Sequence, residues 1–356
     1  MGDYTLWFEE YVEERDRSRV GGKCASLGTM VEAGLPVPPG FAVTTEAYDT
    51  LRSHPDLVTL VHDHLASVDG DTRRLQAAAV EIRAAVEAIP VPGQIEEEIR
   101  RRYAQLSERS GLDEVPVAVR SSATAEDQPD ASFAGQQDTY LWVRGADQVV
   151  EHVRRCWSSI FTDRAIAYRR AMGYDHQVIA MAVAVQQMVD PKAAGVAFTL
   201  NPQDGDRSQV AIDASWGLGE AVVSGEVTPD NFLVDKVLRT VVRRMISSKH
   251  VEYRLVGDRV EKVAVDDERR EQACLTDDEI CAVAAMARRA ERHYGCPQDI
   301  EWAIDRHLPD GENIVLLQSR PETVWSRKQV APVVSGTYDP VSSIVATLTA
   351  PLHASA

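Results

Sequence analysis

The sequence has no long hydrophobic run and no secretory leader, and each absence excludes a class of protein. Its 356 residues contain no stretch of about 18 apolar side chains, which a membrane-spanning helix needs. The amino terminus also lacks a basic region followed by an apolar stretch, so no signal peptide is predicted. Together these absences favour a cytoplasmic protein without a membrane association.

Paired cysteines are missing as well. The chain has five cysteines, an odd number, and none of them forms a C-x-x-C pair. A disulfide framework and a zinc site are therefore both unsupported. Cys274 and Cys281 are seven residues apart on a predicted helical segment, a spacing that core packing explains. We predict structural or inert roles for all five thiols.

Basic residues are in short supply. The sequence has 38 Lys and Arg against 55 Asp and Glu, which gives a formal net charge of −17. Such a surface repels the backbone of nucleic acids, so no nucleic-acid partner is expected. The length is sufficient for two or three packed lobes. An anionic ligand would need cations concentrated locally, where Lys or Arg interrupts a loop rich in Gly or Ser.

Helical and strand patterns occur in the same chain. Residues 46–110 are predicted to be mainly helical, and a short apolar strand is predicted at 115–119. Thr276 and Glu279 form a capping box that starts a later helix, which Gly295 closes.

The first candidate phosphate-binding segment is Gly21-Gly22-Lys23, at the start of a predicted short helix. A Walker-A loop would need a glycine at position 17 and a Ser or Thr at position 24, but Arg17 and Cys24 stand there. The free N–H groups and the dipole of a helix start can still hold phosphate. The alternative is a solvated lysine beside a turn.

A second candidate directly follows the strand predicted at 115–119. Arg120 offers a charged fork, and Ser121 and Ser122 offer short hydrogen-bond donors to a polyphosphate. Gly135 would allow a close approach of the backbone. The alternative is a polar loop in which the serines cap their own backbone.

A third candidate is a predicted hairpin near the carboxyl end. Polar and apolar residues alternate over 299–305, a Pro-Asp-Gly turn follows, and a second strand is predicted at 313–319. In this pairing Glu301 lies opposite Gln318, and Arg320 points to the same face. The carboxylate and amide oxygens suit Mg²⁺, and the arginine would meet the same phosphates. The alternative is a buried ion pair between Glu301 and Arg320.

Eight segments, in this order along the chain, resemble the ATP-binding domain of phosphoenolpyruvate synthase. That domain also occurs in pyruvate phosphate dikinase and the rifampin phosphotransferases. Eight ordered motifs, spread from about residue 4 to residue 325, are far more specific than any one of them. They are VGGKCASL (20–27), PVPPGFAVT (36–44), VRSSATAED (119–127), FAGQQDT (133–139), FTDRAIAYR (161–169), ASWGLGE (214–220), DIEW (299–302) and LQSRP (317–321).

The resemblance implies an α/β chain with an ATP-grasp fold, in which ATP binds in the cleft between two lobes. We expect residues 1–190 to form the amino-terminal lobe and residues 191–326 the carboxyl-terminal lobe. Residues 327–356, rich in Pro, Ser, Thr and Ala, are expected to be a linker or tail.

The resemblance also implies roles for individual residues. Lys23 and Arg120 would hold the phosphates of ATP, and Arg320 would reach the polyphosphate. Gln186 would lie on the strand that borders the adenine. Four more residues are expected in loops over the phosphates: Ser121, Ser122, Gly135 and Thr139.

The implied cofactors are ATP and Mg²⁺, and the metal would be held by Glu301 and Gln318. On these two residues and Arg320, the resemblance agrees with the independent hairpin pattern.

The family's acceptor histidine is not found in this sequence. Full-length members carry it on a swivelling domain, in a context similar to Gly-Gly-x-Thr-Ser/Cys-His-Ala, and most have a further substrate domain. None of the nine histidines has such a context, and His353 lacks both the glycines and the preceding hydroxyl. We therefore predict the donor half of a phosphotransferase, which needs a partner subunit or domain that carries the histidine and the acceptor site.

Three explanations of the missing histidine stay open. The chain is a natural subunit similar to that of phenylphosphate synthase, a fragment of a longer synthase acting on pyruvate or an antibiotic, or a non-catalytic regulatory module. Residues 350–356 consist mainly of small side chains, which favours the first explanation. In that explanation the final acceptor is a phenol or alkylphenol, and the products of ATP cleavage are AMP and phosphate. The intact set of cations and metal ligands argues against the third. The ATP-grasp carboxylate–amine ligases, another class, share the fold but not these motifs.

Overall fold

Two antiparallel sheets and one separate hairpin organise the residues that the computed structural model describes, which are 4–66, 68, 71–124, 138–172 and 179–325. All of these elements lie within one compact unit, Met1–Glu322. The mixture of helices and antiparallel strands confirms the mixed α/β (α+β) class predicted from the sequence. No helix in the described part of the chain is long and apolar enough to cross a membrane.

The first sheet has five strands, in the order β1-β2-β5-β3-β4. Apolar side chains alternate along β3, and its inward-facing residues pack against helices α4, α5 and α6 in the first of two main cores. The strands are β1 (Thr5–Trp7), β2 (Gly40–Val43), β3 (Val117–Ala123), β4 (Thr139–Val143) and β5 (Met181–Gln187), and the helices are α2 (Thr45–Arg52), α3 (Pro55–Ala66), α4 (Thr72–Ala88), α5 (Gly93–Arg109), α6 (Ala146–Ser158) and α7 (Asp163–Met172).

The second sheet has six strands, in the order β13-β12-β6-β7-β8-β9, and β10 pairs with β11 in a separate hairpin. Helix α10 begins at the predicted Thr276–Glu279 capping box and ends at Gly295, whose φ is +69°. The strands are β6 (Pro191–Phe198), β7 (Gln209–Trp216), β8 (Asp230–Asp235), β9 (Val241–Met245), β10 (Val251–Val256), β11 (Arg259–Ala264), β12 (Gln298–Asp305) and β13 (Ile314–Pro321), and the helices are α8 (Glu220–Val223), α9 (Asp267–Arg270) and α10 (Asp277–Tyr294).

Helix α1 (Glu13–Glu32) connects the two sheets. Apolar side chains of α1, such as Leu27 and Met30, join the second core together with the second sheet and α10. The same helix also contacts β3 and β5 of the first sheet. The boundary predicted between residues 190 and 191 stays a prediction. Helix α1 precedes that boundary in the sequence, yet it packs against strands from both sides of it.

The five cysteines are free thiols. Cys24, Cys156 and Cys274 are buried, and burial raises the pKa of the Cys274 thiol far above its usual range. A thiol whose pKa is raised carries little thiolate at neutral pH, and the thiolate is the reactive form. The structure therefore agrees with packing roles for these side chains.

Candidate active site

The predicted hairpin is confirmed, with the register that the sequence gives it. Strands β12 and β13 pair antiparallel with Glu301 opposite Gln318 and with Asp299 opposite Arg320. Side chains two residues apart on a strand share a face, so these four polar groups lie on one side of the sheet. The register shifts directly after Glu301, as at a β-bulge, a feature that is common next to active sites.

Arg120 reaches this face from the other sheet. Its Nη2 donates to Gln318 Oε1 at 2.8 Å and to Glu301 Oε2 at 3.0 Å, and its Nη1 donates to the Leu317 carbonyl at 3.2 Å. The guanidinium therefore bridges β3 and the β12–β13 hairpin, with only 14% of the side chain exposed. The alternative ion pair of Glu301 with Arg320 is wrong, since Glu301 pairs with Arg120.

Arg320 has a different carboxylate partner. Its Nε lies 3.4 Å from Asp299 Oδ2, and the Asp299 side chain is 16% exposed. Burial raises the pKa of Asp299 to about 6, against the opposing effect of Arg320. Oδ1 of Asp299 accepts no hydrogen bond from the described residues. Asp299 was not singled out from the sequence, although its place two positions before Glu301 puts it on the same face of the hairpin.

Lys23 lies against β3 because of the glycine two positions before it. Gly21 interrupts α1 with a φ of +69°, and a Cβ built there would lie 2.1 Å from the Ser122 carbonyl oxygen. Only glycine fits so close an approach with that backbone conformation. Lys23 Nζ then donates to the Ser121 carbonyl at 2.9 Å. The Gly-Gly-Lys motif thus fastens α1 to the strand that carries Arg120.

Ser121 and Ser122 lie inside β3 and Thr139 is the first residue of β4, so the prediction of these three as loop residues is wrong. β3 is hydrogen-bonded to β5 on one side and to β4 on the other, and both serines are buried. Ser122 Oγ donates to the Val20 carbonyl at 2.8 Å and accepts from the Cys24 backbone N–H at 3.1 Å. Ser121 points to the opposite face by alternation, and its hydroxyl has no hydrogen-bond partner within the described ranges.

A cleft with a volume of about 180 Å³ lies beside the Arg120–Glu301 pair. Four predicted site residues line it, namely Arg120, Thr139, Gln186 and Glu301, whereas Lys23, Ser121, Ser122, Gln318 and Arg320 do not. Gln186 is buried, and its side-chain amide donates to the Pro38 carbonyl at 3.2 Å. The rest of the lining is mainly apolar or backbone, and it comes from both sheets: Ala118, Leu141, Gln187, Met188, Val189, Pro191, Ala194, Gly195, Leu218, Gly219, Glu220, Val223, Trp302, Ala303 and Leu317.

This lining suits a ligand with a flat apolar part and an anionic part. Binding pockets are typically apolar with a few polar groups that fix orientation. Here the polar groups are one guanidinium, two carboxylates, two amides and one hydroxyl beside apolar walls. A nucleotide has both of these parts in one molecule.

The donor set near Arg120 also fits Mg²⁺. No group of three or more His, Cys, Asp or Glu side chains that could hold a metal occurs in the described part of the chain. Mg²⁺ does not require such a cage, since it commonly takes one or two carboxylates and completes its shell with waters and substrate phosphates. Glu301 and Gln318 present oxygens of the right kind, and both accept hydrogen bonds from Arg120.

Two predicted features lie outside the described residues. One is Gly135, with the rest of the segment 125–137, and the other is the tail at 327–356, which includes His353. Their roles stay predictions.

Comparisons with known proteins identify the family of the chain. The family model "Pyruvate phosphate dikinase, AMP/ATP-binding domain" matches residues 17–337. A probable phosphoenolpyruvate synthase of Methanothermobacter thermautotrophicus is 46% identical over 324 residues, covering 91% of this chain and 46% of that protein. The phosphoenolpyruvate synthase of Pyrococcus furiosus is 42% identical over 371 residues, covering 92% of this chain and 45% of that protein.

A relative with a different printed activity matches at a similar level. The rifampicin phosphotransferase of a Streptomyces species is 42% identical over 314 residues, covering 88% of this chain and 35% of that enzyme. The chain therefore spans less than half the length of these three relatives. A solved structure, D-alanyl-alanine synthetase A from Vibrio cholerae, matches 69% of this chain and 54% of its own, with 14% identity and a TM-score of 0.25, a similarity too low to support a conclusion.

Proposed function

Because the chain belongs to the pyruvate phosphate dikinase AMP/ATP-binding domain family, we propose that it binds ATP with Mg²⁺ and passes phosphate to a histidine on a partner subunit or domain. The observation that carries the proposal is the position of Arg120. It joins a cation from one sheet to a carboxylate and an amide from the other, at the wall of an apolar cleft.

The charged groups divide the work in this proposal. Mg²⁺, when bound with ATP, neutralises phosphate charge and orients the phosphates for in-line attack. Glu301 and Gln318 would hold the ion, and Arg120 would turn its fork from these oxygens towards the phosphates. Lys23 and Arg320 would add positive charge nearby. Phosphoryl transfer depends mainly on positioning and on charge stabilisation, which such a set supplies.

The proposed reaction balances without a further reactant. ATP, water and a histidine give AMP, inorganic phosphate and phosphohistidine. Both phosphoanhydride bonds break: the imidazole nitrogen bonds to one phosphorus as the bond to the α-phosphate breaks and AMP leaves, and a water oxygen bonds to the γ-phosphorus as the β–γ bond breaks. The imidazole and the water each give up a proton. The histidine would belong to a separate subunit or to a further domain of a longer protein.

The final acceptor is the least supported part of the proposal. Phosphoenolpyruvate synthases at 42–46% identity favour a pyruvate-type acceptor. The rifampicin phosphotransferase at 42% identity supports an antibiotic acceptor as the second candidate. A phenol or alkylphenol acceptor, as in phenylphosphate synthase, stays a prediction.

The proposal is tested by following phosphate from radiolabelled ATP. The chain is incubated with ATP, Mg²⁺ and the separately purified histidine-bearing domain of a phosphoenolpyruvate synthase, and AMP and acid-labile protein phosphate are measured. We expect both products only when the histidine domain is present, and neither with Glu301→Ala or Arg320→Ala. ADP formation with a small acid and an amine alone would indicate a ligase instead. ATP binding without AMP formation, despite phosphorylation of the same domain by a control synthase, would favour a regulatory module.

A further inference from the structure

One wall of the cleft is a short glycine-rich turn at the end of β7. Leu218 and Gly219 of this turn line the cleft, and so do Glu220 and Val223 of the short helix α8 that follows. The backbone of this turn is hydrogen-bonded to neighbouring strands, and the Gly217 N–H donates to the Lys192 carbonyl of β6 at 3.1 Å.

The β10–β11 hairpin holds this turn through its backbone. The Leu218 N–H donates to the Tyr253 carbonyl at 2.9 Å, and Gly217 pairs with Tyr253 as an isolated bridge. Gly217 has a φ of +71°, and a Cβ built on it would lie 2.3 Å from the Tyr253 carbonyl oxygen. The turn and the hairpin are thus in backbone contact at a position where only glycine fits.

Arg269 also connects the β10–β11 hairpin to Trp216, at the end of β7. Both terminal nitrogens of Arg269 donate to the Glu252 carboxylate, at 3.1 and 3.2 Å, and the Glu252 side chain is only 1% exposed. The Arg269 guanidinium lies 4.5 Å from the centre of the Trp216 ring, and Trp216 Nε1 donates to the Arg269 carbonyl at 3.2 Å. These contacts close a ring that runs from the turn through β10 and α9 back to Trp216.

We propose that this ring, here called the clamp and formed by Trp216, Gly217, Glu252, Tyr253 and Arg269, positions the cleft wall for nucleotide binding. None of the five lines the cleft, so they act through Leu218 and Glu220 rather than on the ligand. A wall held in its bound position before the ligand arrives lowers the ordering cost of binding. The inference rests on the proposed function in one respect, that the cleft is the nucleotide site.

A pair of glycine substitutions separates the clamp from general backbone strain. Gly217→Ala introduces both a left-handed alanine and a clash with Tyr253. Gly295→Ala introduces the same left-handed strain at the end of α10, where a Cβ meets nothing within 4 Å. In the 356-residue chain, titration calorimetry with the Mg²⁺ complex of a non-hydrolysable ATP analogue should show binding about tenfold weaker for Gly217→Ala. Gly295→Ala should bind as the wild type does.

A second pair of variants tests the ion pair between Glu252 and Arg269 without leaving one of the two charges buried and unpaired. Glu252→Gln combined with Arg269→Met removes both charges and keeps the approximate shapes. This double variant should weaken analogue binding, whereas Arg269→Lys, which retains one charged contact, should recover part of the affinity. Thermal unfolding of each variant shows whether the fold is kept. A merely structural clamp would lower the melting temperature and leave the affinity of the folded protein unchanged.

The outcomes distinguish this inference from the proposed function. If the wild type fails to bind the analogue, the nucleotide site itself is wrong. If the wild type binds and the folded Gly217→Ala and double variants bind equally well, the clamp has no positioning role. Weaker binding by both, with Gly295→Ala unaffected, supports it.

Discussion

The first sheet gives the cleft a cation, and the second sheet gives it oxygen ligands. Arg120 lies on β3, whereas Glu301 and Gln318 lie on the β12–β13 hairpin, and their hydrogen bonds join the two sheets. The second sheet also carries a cation, Arg320, but its carboxylate partner is Asp299 of the same hairpin. The candidate site therefore forms only where the two sheets meet. The effect of changing a residue on one sheet depends on which side chain of the other sheet contacts it.

Removal of the cation should have the largest effect on function. Arg120→Ala takes away the charge that would meet the phosphates, and we expect phosphorylation of the histidine partner to fall by about 10³-fold or more. Arg100→Ala is a suitable control, since Arg100 pairs with Glu96 and Asp147 away from the cleft. Rates from radiolabelled ATP provide the measurement. Equal rates for Arg120→Ala and wild type would remove Arg120 from the mechanism.

On the opposite sheet, Asp299 should give the stability of the protein a pH dependence. Its pKa is about 6 in the folded protein and 3.8 as a free side chain, so folding favours the protonated form. This contribution to stability is present at low pH and is lost as the pH rises from about 4 through 6, on the order of 3 kcal/mol.

Asp299→Asn removes that titration while keeping the shape. Denaturant unfolding from pH 4 to 7 should therefore show the wild type losing stability relative to the variant as the pH rises. A constant difference between the two proteins over this range would contradict the raised pKa.

The ion pair across the sheets should also compete with the metal. Mn²⁺, used as a probe without nucleotide, must displace Arg120 from Glu301 and Gln318. Arg120→Met should therefore bind Mn²⁺ more tightly, by about fivefold if the pair contributes ~1 kcal/mol. Electron paramagnetic resonance of free Mn²⁺ measures the affinity. Tighter binding by the wild type would mean that the metal ligands lie elsewhere.

The smallest expected effect separates two neighbouring serines of β3. Ser122→Ala loses hydrogen bonds to α1 and should lower the free energy of unfolding by about 1 kcal/mol. Ser121→Ala removes a buried hydroxyl that has no partner in the described part of the chain, and it should be neutral or slightly stabilising. Urea unfolding compares the two. A large loss of stability for Ser121→Ala would show that this hydroxyl makes a stabilising interaction.

The hairpin was predictable because its signals are local. A Pro-Asp-Gly turn after an alternating strand indicates the hairpin and its approximate register. The exact pairing also needs the β-bulge after Glu301, because the register beside the turn, with Trp302 opposite Leu316, shifts there and brings Glu301 opposite Gln318. The capping box of α10 was predictable for the same reason. Which arginine pairs with Glu301 was not, because Arg120 is 181 residues away and arrives only when the sheets pack.

Ser121 and Ser122 were wrongly predicted to lie in a loop, because the prediction rested on their residue type. Consecutive Ser and Thr residues are typical of turns, and nothing local shows that this segment continues β3 and pairs with β5. The Gly-Gly-Lys motif has a comparable lesson. Its chemistry pointed to phosphate, whereas the most definite role of Gly21 in the structure is to let α1 approach β3.

Helix α1 has a consequence for how the chain can be divided. Its apolar side chains are buried with the second sheet and α10, although residues 13–32 precede every strand of that sheet in the sequence. A cut between residues 190 and 191 would leave α1 without the surface that covers it, and would leave the second sheet with an open apolar groove. The two pieces would then behave as complementing fragments that refold together when mixed, rather than as two independent domains.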